Sequence, residues 1–463
     1  MYKKVTNKDV LALEKLIDKT RVFVYNDSIS EYSKDELGTL IGKPEVIVKV
    51  VTTKEVSKVA KYAYDNNIPL TVRGSGTGLV GACVPLYGGI ILDMTLMNKI
   101  INLDEDNQVL EVEAGALLMD IADYTKTRGY LYAPDPGEKS ATIGGNITTN
   151  AGGMRAVKYG VTRDWVRALE VVLMDGTILE FGKKVVKDTS GYSLKNLIIG
   201  SEGTLAIVTK AYLKVVSLPE KSLSLLVPYA SLEKAIEQVP KILNSGTNPT
   251  AIEFFTREAL KYSETFLGKK FPDQNSPAYI LLTFDGSQAE VDENAKKASE
   301  LLIDKFEAVD VLIVDTDERN EDVWSARGSF LEAIKASTSL MDECDVVVPR
   351  SEVSDYIKYT YELEEKYGLR LPSFGHAGDG NLHIYICKDN LSDEEWEVKL
   401  DMVFHDLYNK AKEVGGLVSG EHGIGYAKME YLKESLGGVQ IDLMRNIKKA
   451  FDPKNLLNPG KIV

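Results

Sequence analysis

The chain is poor in cysteine, and the three cysteines that it has lie far apart. Cys83, Cys344 and Cys387 form no C-x-x-C pair and no cluster. An odd number of widely spaced cysteines argues against a disulfide framework and predicts a reduced chain in the cytoplasm. The same spacing offers no set of cysteine ligands for an iron–sulfur centre.

Long apolar runs and an excess of positive charge are also missing. No stretch approaches the run of about 20 apolar residues that spans a bilayer, and the opening residues, MYKKVTNKDV, lack the apolar core of a secretory signal. The formal net charge is −14, whereas nucleic acids and anionic membrane surfaces select basic patches. We therefore expect no nucleic-acid partner and no direct insertion into a membrane.

The chain has the glycine spacing of a dinucleotide-binding fingerprint but lacks the helix that should follow it. Gly76, Gly78 and Gly81 spell G-x-G-x-x-G within TVRGSGTGLVGACVP, residues 71–85. In a Rossmann turn a helix follows this motif at once, so that its N-terminus meets the pyrophosphate. Here Pro85 and a pair of glycines follow, and no amphipathic helix fits. The loop is therefore either a plain glycine turn or a nest whose backbone N–H groups surround a phosphate.

Two further glycine-rich stretches favour the phosphate-binding interpretation. Residues 134–153 read PDPGEKSATIGGNITTNAGG, and residues 200–209 read GSEGTLAIVT. Polar segments of this length are uncommon in compact domains unless they are functional. Together the three stretches could wrap an extended cofactor.

The pattern of apolar residues predicts an α+β protein whose rhythm changes at Pro219. Before this point we expect short strands, two helices and a hairpin around Asp175-Gly176. After it, residues 222–315 follow the order β-α-β-β-α-β, which is the ferredoxin-like pattern. Helices are predicted near 351–367 and 392–413.

Three of the four histidines lie among glycines near the end of the chain. His376, the first histidine of the sequence, and His383 flank residues 378–381 in FGHAGDGNLHIYI. On one straight strand their odd separation would put them on opposite faces. Because Gly-Asp-Gly-Asn is strong turn chemistry, the chain is expected to fold back here and to bring both imidazoles together.

A carboxylate from a third loop would complete a metal site. Two imidazoles with Glu421, from SGEHGIG, suit Zn, Mn or Fe(II) and leave coordination positions for a substrate. Spacing alone leaves open that His376 and His383 are ordinary loop residues satisfied by hydrogen bonds. A metal-dependent hydrolase would explain the histidines but not the three glycine stretches. His405 is expected to be a solvent-exposed residue of a helix.

The sequence resembles a known family of flavoenzymes in several motifs. Residues 71–85, 134–160 and 200–209, with the terminal NPGKI at 458–462, look like the FAD-linked oxidases and dehydrogenases of vanillyl-alcohol oxidase type. The likeness is strongest to the D-lactate dehydrogenase and glycolate oxidase flavin-subunit branch. It implies a two-part FAD-binding domain with a ferredoxin-like α+β cap, or substrate, domain.

This resemblance also divides the chain and assigns residues to FAD. We expect an FAD-binding domain over 1–219, a cap domain over 220–414 and a C-terminal segment, 415–463, that returns to the flavin site. The residues that the resemblance places at the pyrophosphate are Arg73, Gly74, Ser75, Gly76, Thr77 and Gly78. Those that it places along the isoalloxazine and ribityl side are Pro134, Gly137, Ser140, Thr142, Gly144, Gly145, Asn150, Ala151, Gly152 and Gly153. Those near the adenine half are Glu202, Gly203 and Ile207, and Asn458 belongs to the terminal motif.

The mode of FAD binding follows from a missing histidine. Some relatives attach FAD covalently through a histidine in the first glycine loop, where this chain has Ser75 and Thr77. The resemblance therefore implies non-covalent FAD.

The resemblance implies a metal and a reaction for the histidine-containing loops. It places a divalent transition metal on His376, His383 and Glu421. His422 would then remove the hydroxyl proton of a small 2-hydroxy acid while the α-hydrogen leaves as hydride to flavin N5. Arg327, in the W-x-x-R match of VWSARGSF, would bind the substrate carboxylate; without the resemblance it would be a surface arginine of a helix.

One departure from the family pattern bears on the substrate. Relatives that oxidise D-2-hydroxyglutarate carry a lysine six residues before the proline matched by Pro349, and this chain has Glu343 there. An acidic side chain would accommodate a dicarboxylate poorly, so we expect D-lactate. A glycolate oxidase-type flavin subunit and a D-2-hydroxyglutarate dehydrogenase are the alternatives.

The sequence shows no recognisable site for a second redox cofactor that would receive the electrons. It contains neither a complete site for NAD nor cysteines for an iron–sulfur cluster. We expect a protein electron acceptor, either an electron-transferring flavoprotein or an iron–sulfur subunit. A flavin-binding relay subunit without catalysis is the non-enzymatic alternative, and His422 and Arg327 argue against it because a relay needs neither.

Overall fold

The computed structural model describes residues 2–463, except the side chains of residues 317, 318, 320 and 321. The chain forms two compact units. Unit 1 comprises Met1–Gly152, Val161–Leu218 and Glu421–Val463, and unit 2 comprises Gly153–Gly160 and Pro219–Gly420.

This division differs from the expected boundaries in two segments and at Pro219. The segments 153–160 and 415–420 lie in unit 2 rather than in the FAD-binding domain and the C-terminal segment, and Pro219 also lies in unit 2. The first segment is held there because Lys158 Nζ donates to the Asp285 carboxylate at 2.6 Å. The second is held by Asp345, whose carboxylate accepts from the backbone N–H of Gly420 at 3.2 Å. Polar contacts between residues so distant in sequence leave no signal in local composition.

The strands and helices follow one another along the whole described chain. The strands are β1 (Val22–Val24), β2 (Val46–Lys49), β3 (Leu70–Arg73), β4 (Ile90–Asp93), β5 (Ile100–Asp104), β6 (Val109–Glu113), β7 (Tyr130–Leu131), β8 (Val166–Val172), β9 (Ile178–Gly182), β10 (Ile207–Lys214), β11 (Val216–Ser217), β12 (Lys221–Tyr229), β13 (Ala251–Thr256), β14 (Ala278–Gly286), β15 (Leu312–Val314), β16 (Met341–Val347), β17 (Ser373–His376) and β18 (Asn381–Cys387). The α-helices are α1 (Asn7–Leu16), α2 (Thr53–Asp65), α3 (Leu118–Lys126), α4 (Ile143–Thr149), α5 (Ala156–Tyr159), α6 (Thr162–Trp165), α7 (Leu194–Ile198), α8 (Leu232–Leu243), α9 (Arg257–Leu267), α10 (Gln288–Asp304), α11 (Asp317–Gly328), α12 (Phe330–Ala336), α13 (Val353–Tyr367), α14 (Asp393–Glu413), α15 (Met429–Leu436) and α16 (Gly438–Phe451). Short 3₁₀ helices lie at Lys19–Arg21, Asp27–Ser33 and Arg350–Glu352. No helix within residues 2–463 combines the length and the apolar character that a membrane crossing demands.

Unit 1 is built on two large sheets, and β11 and β7 pair as a third, two-stranded sheet. The first has the order β1-β2-β4-β3, with β2, β4 and β3 parallel. Helix α2 connects β2 to β3, and Val56, Val59, Ala60 and Ala63 form its buried stripe at helical spacing. The second sheet is antiparallel, with the order β5-β6-β10-β8-β9. Its β8–β9 hairpin closes at Asp175-Gly176, as the sequence predicts.

Unit 2 contains one seven-stranded antiparallel sheet with the order β15-β12-β14-β13-β17-β18-β16. Strands β12 to β15, together with α8 and α10, form the predicted ferredoxin-like arrangement. Strands β17, β18 and β16 extend the sheet beyond β13, so β13 is an inner strand. Helices α9, α11 and α12 add to this core, and the sequence did not predict them.

An aromatic cluster packs against one face of this sheet. Phe255 and Phe374 are cross-strand partners on β13 and β17, and both rings contact Phe330, with centroids 5.5 and 5.0 Å away. All three side chains are buried. Because side chains alternate along a strand, residues two positions from Phe255 and Phe374 point to the same face.

The hairpin of β17 and β18 carries His376 and His383. Its register pairs His376 with Asn381 and Phe374 with His383, so the predicted turn is confirmed. His376 is two residues from Phe374, and His383 lies opposite Phe374. Both histidines therefore project from the same face of the sheet, beside the aromatic cluster.

The turn of this hairpin requires glycine at position 380. Gly380 has φ +85°, and a Cβ added there would lie 2.1 Å from the carbonyl oxygen of Val348. We predict that Gly380→Ala lowers the free energy of unfolding by the left-handed backbone cost of about 1–2 kcal/mol plus a clash cost of about 1–3 kcal/mol. Thermal unfolding of the purified variant measures the loss.

Gly368→Ala is the matched control for this substitution. Gly368 also has a left-handed backbone, with φ +61°, but nothing lies within 4 Å of an added Cβ. It should show the backbone cost alone. Equal shifts in midpoint for the two variants would contradict the tight turn.

Candidate active site

Two buried histidines form the centre of a polar cluster in unit 2. His376 and His383 are each only about 5% exposed. Their ring centroids are 5.4 Å apart, with the ring planes at 87°. The hairpin thus brings the two imidazoles together, as the sequence predicts.

Each imidazole is held by a carboxylate from the strand on its other side. His376 Nδ1 is 2.6 Å from Glu253 Oε1, on β13, and His383 Nδ1 is 2.9 Å from Glu343 Oε1, on β16. A carboxylate at Nδ1 fixes the tautomer with its proton on Nδ1 and directs Nε2 to a metal ion. The histidine pair with its two carboxylates therefore fits the inner and outer shells of a divalent transition-metal site.

A third buried carboxylate, Asp345, ties the hairpin to the end of unit 2. Asn381 Nδ2 donates to Asp345 at 2.7 Å, and Ser419 Oγ donates to it at 2.8 Å. The backbone N–H of Gly420 also points at this carboxylate. Glu421, the third expected metal ligand, is joined to Gly420 by the next peptide bond.

Arg327 lies in the last turn of α11 and is buried rather than exposed. Its Nε and Nη2 donate to Glu253 Oε2 at 2.9 and 2.6 Å, and its guanidinium stacks 4.6 Å from the ring centre of Phe374. A guanidinium has five N–H groups, and Glu253 accepts from two of them. The other three could donate to a substrate carboxylate. Burial raises the pKa of Glu253, but the charge interactions and hydrogen bonds with His376 and Arg327 outweigh this and lower it overall.

Unit 1 brings the first and second glycine stretches together. A Cβ on Gly74 would lie 2.1 Å from Thr142 Oγ1, and Ser75 Oγ donates to the carbonyl of Ser140 at 2.7 Å. Only glycine permits the first of these approaches. The two stretches thus form one surface, as an extended cofactor would require.

Arg73 has a local role in addition to any contact with phosphate. Its Nη1 donates to the carbonyl of Lys34 at 2.8 Å and approaches Cys83 Sγ at 3.2 Å. Gly76, at φ +82°, passes over the guanidinium so closely that a Cβ would lie 2.1 Å from Nη2. Arg73 therefore fastens the first glycine loop at its start.

The second glycine stretch contains helix α4, which the sequence did not predict. The helix begins after Thr142, has Gly144 and Gly145 in its first turn, and ends at Asn150 with φ +59°. Glycine and threonine are poor helix formers, so local propensity gave no indication of it. Tertiary packing supplies the reason, because a Cβ on Gly144 would meet Ala114 at 2.9 Å.

Glu421 lies against the end of this second stretch within unit 1. A Cβ on Gly152 would be 3.1 Å from Glu421 Oε1. The residue that the resemblance assigns to the metal is thus next to a residue that it assigns to the flavin. His422 follows Glu421 directly.

The third glycine stretch anchors the segment that carries Glu421 and His422. Glu202 is buried, and its two carboxylate oxygens accept the backbone N–H groups of Ile424 and Gly425, each at 2.7 Å. Burial raises the pKa of Glu202 to about 7, against the lowering effect of these hydrogen bonds. Glu202 therefore holds this loop in place.

The terminal NPGKI motif fastens the first and third glycine stretches. Asn458 Nδ2 donates to the carbonyls of Ala82 and Glu202 at 2.8 and 2.9 Å, and Lys461 Nζ donates to the carbonyl of Val84 at 2.7 Å. The remaining residues assigned to FAD lie in unit 1, apart from Gly153 in unit 2. They are Thr77, Gly78, Pro134, Gly137, Gly145, Ala151, Gly203 and Ile207. Contact of each with FAD stays a prediction.

Known proteins match the chain over both units. Residues 44–182 match the FAD binding domain, and residues 218–462 match the C-terminal domain of FAD linked oxidases. The chain belongs to the FAD-linked oxidases. It is therefore an FAD-dependent oxidoreductase, and the resemblance to this family is confirmed.

Curated relatives and a solved structure support this membership. The chain is 46% identical to a D-lactate dehydrogenase of Anaerostipes hadrus, over 100% of this chain and 98% of that protein. It is 38% identical to the glycolate oxidase subunit GlcD of Bacillus subtilis strain 168, over 93% and 91% of the two chains. The crystal structure of p-cresol methylhydroxylase with substrate bound has a TM-score of 0.82 at 19% identity, over 100% and 98%. This likeness confirms the expected α+β fold of vanillyl-alcohol oxidase type.

Sequence reasoning missed the carboxylates behind the histidines. Glu253 interrupts the apolar strand AIEFFT, and Glu343 and Asp345 alternate in MDECDVV. An acidic residue in a buried strand is costly unless it is paired. Acidic residues within these apolar strands therefore indicated that each one has a buried partner. Glu343, at the position that bears on substrate choice, also forms a hydrogen bond with His383.

The anchoring role of Glu202 is testable by hydrogen exchange. We predict that, at a pH well above 7 where Glu202 is ionised, Glu202→Ala speeds exchange of the Ile424 and Gly425 amides by about 10- to 100-fold, because hydrogen bonds to a charged group contribute about 1.5–3 kcal/mol. Exchange is followed by mass spectrometry on the peptide over 421–428. Glu113→Ala is the control, since Glu113 also accepts a backbone N–H, from Lys99 at 3.0 Å. Unchanged exchange of these amides in Glu202→Ala would contradict the anchoring role of Glu202.

Proposed function

We propose that this protein is an FAD-dependent dehydrogenase that uses a divalent metal ion to oxidise a D-2-hydroxy acid, D-lactate, to pyruvate. The observation that carries the proposal is the buried pair His376 and His383, each with a carboxylate at Nδ1. A hydride transfer to flavin alone needs no such pair. The name of the 46% identical relative supports the same substrate.

The residues suited to hold the two cofactors are those described above. His376 and His383, with Glu421, would bind Zn, Mn or Fe(II). The first and second glycine stretches would bind FAD without a covalent link. When bound, FAD supplies the hydride acceptor and the metal ion supplies a Lewis acid for the substrate oxygens.

The protein's own residues would bind the acid and remove a proton. Arg327 would bind the substrate carboxylate through guanidinium N–H groups beyond the two that Glu253 uses. His422 would accept the hydroxyl proton at a ring nitrogen as the α-hydrogen leaves with its electron pair. Phe330 and Phe374, which flank Arg327, would limit water around it and strengthen the ion pair with substrate.

The choice of D-lactate rests on the relatives and on the charge of the cluster. Three buried carboxylates, from Glu253, Glu343 and Asp345, lie in unit 2. A second substrate carboxylate would be repelled by them, which disfavours D-2-hydroxyglutarate. Glycolate, the smaller monocarboxylate, remains the second candidate because of the likeness to a glycolate oxidase subunit.

We also propose that a protein accepts the electrons from reduced FAD. The motivation is the sequence, which offers neither a complete NAD fingerprint nor a cysteine cluster. An electron-transferring flavoprotein or an iron–sulfur subunit would fill this role. Rapid, stoichiometric formation of peroxide by the isolated chain would argue against it.

The role of His422 is tested by anaerobic flavin reduction. We predict that D-lactate bleaches the flavin absorbance of the wild-type protein and yields pyruvate. In His422→Ala, the rate of bleaching should fall by about 100-fold or more, which is the usual contribution of a general base. FAD and metal content should be unchanged, since other residues are the proposed ligands of both cofactors.

His405→Ala serves as the control for that experiment. His405 lies on α14 with 39% of its side chain exposed, so its loss should leave the bleaching rate as it was. Bleaching of His422→Ala at the wild-type rate would exclude His422 as the base.

The metal requirement is tested by removal and return. We predict that dialysis against a chelator abolishes bleaching by D-lactate, while dithionite still reduces the flavin. Addition of Zn, Mn or Fe(II) should restore the reaction, each tested separately. Full activity in protein shown to be metal-free by mass spectrometry would sink this part of the proposal.

A further inference from the structure

Glu253 contacts both Arg327 and His376 within unit 2. It lies on the inner strand β13 with no exposed surface. Oε1 is 2.6 Å from His376 Nδ1, and Oε2 accepts from Nε and Nη2 of Arg327 at 2.9 and 2.6 Å. Each carboxylate oxygen thus has its own partner.

Stability alone gives no reason for a carboxylate at this position. Its strand neighbours Ile252 and Phe254 are apolar and buried. Replacing a buried ion pair with well-packed apolar side chains is commonly neutral or stabilising. The buried carboxylate of Glu253 is therefore better explained by the side chains that it orients than by a contribution to the stability of the fold.

We propose that Glu253 is a positioning residue that orients a metal ligand and the substrate-binding arginine at the same time. This inference rests on the proposed function. Through Oε1 it keeps the proton on His376 Nδ1, so that Nε2 presents a lone pair to the metal. Through Oε2 it fixes the plane of the Arg327 guanidinium, which is then preorganised for a bidentate carboxylate.

The shared carboxylate makes two properties depend on one residue. Loss of the Oε1 contact weakens metal binding, and loss of the Oε2 contact weakens substrate binding. A residue with a purely structural role would change neither property without also loosening the fold. The two effects together are therefore diagnostic.

The experiment compares Glu253→Gln with the wild-type holoenzyme. The amide keeps the shape, but one partner then faces an N–H donor, and the other loses the negative charge that strengthened its hydrogen bond, so both contacts weaken. We predict that the dissociation constant for zinc, titrated into metal-free protein without substrate, rises by about 10- to 100-fold. At saturating zinc, KM for D-lactate should also rise by about 10-fold or more, whereas FAD content stays the same.

Two further variants separate positioning from folding. Glu264→Gln is the matched control, because Glu264 is also buried and accepts from Nη1 and Nη2 of Arg257, at 3.1 and 2.8 Å. It should leave zinc affinity and KM unchanged. Glu253→Asp, which restores the charge, should recover part of both losses, and it carries the test if Glu253→Gln does not fold.

The outcomes distinguish this inference from the proposed function. If the wild-type protein binds no metal or is not reduced by D-lactate, the proposed function fails. If the wild type does both and Glu253→Gln keeps either its zinc affinity or its KM, the shared role of Glu253 is overturned. The same is true if Glu264→Gln shows the same two losses.

Discussion

Each imidazole of the histidine pair is held by a carboxylate from the neighbouring strand, and the polar cluster of unit 2 depends on this pairing. The pairing exists because the β17–β18 hairpin lies between β13 and β16 in one antiparallel sheet. A shift of register by one residue would turn every side chain of the hairpin to the opposite face. The tight turn at Gly380 fixes that register, so the placement of both histidines follows from backbone geometry.

The surroundings of the cluster explain why its charges must be matched so closely. Glu253, Glu343 and Asp345 are buried beside an aromatic core, where an unpaired charge is very costly. Histidine and arginine supply hydrogen-bond donors for two of them, and Asn381 with the chain near Gly420 supplies donors for the third. Such a network also holds its members in one orientation, which a metal site and a carboxylate-binding arginine both require.

The sequence predicted the local parts of this arrangement better than the tertiary ones. The Gly-Asp-Gly-Asn sequence predicted the hairpin because the preference of these residues for turns depends on local sequence. The ferredoxin-like order was readable because alternation and helical periodicity are local too. In contrast, α4 forms from glycine and threonine only because Gly144 packs on Ala114, and no propensity shows this. Glu253 is 123 residues from His376 in the sequence, and Glu343 is 40 residues from His383. Only the topology of the sheet reveals such distant partners.

The most direct test of the central claim is the ligand set of the bound metal. X-ray absorption at the zinc edge of the zinc-loaded wild-type protein reports the first shell and the outer-shell scattering of imidazole rings. The account predicts two imidazole ligands with the remaining positions filled by oxygen. A first shell that contains sulfur, or one without imidazole scattering, would contradict it.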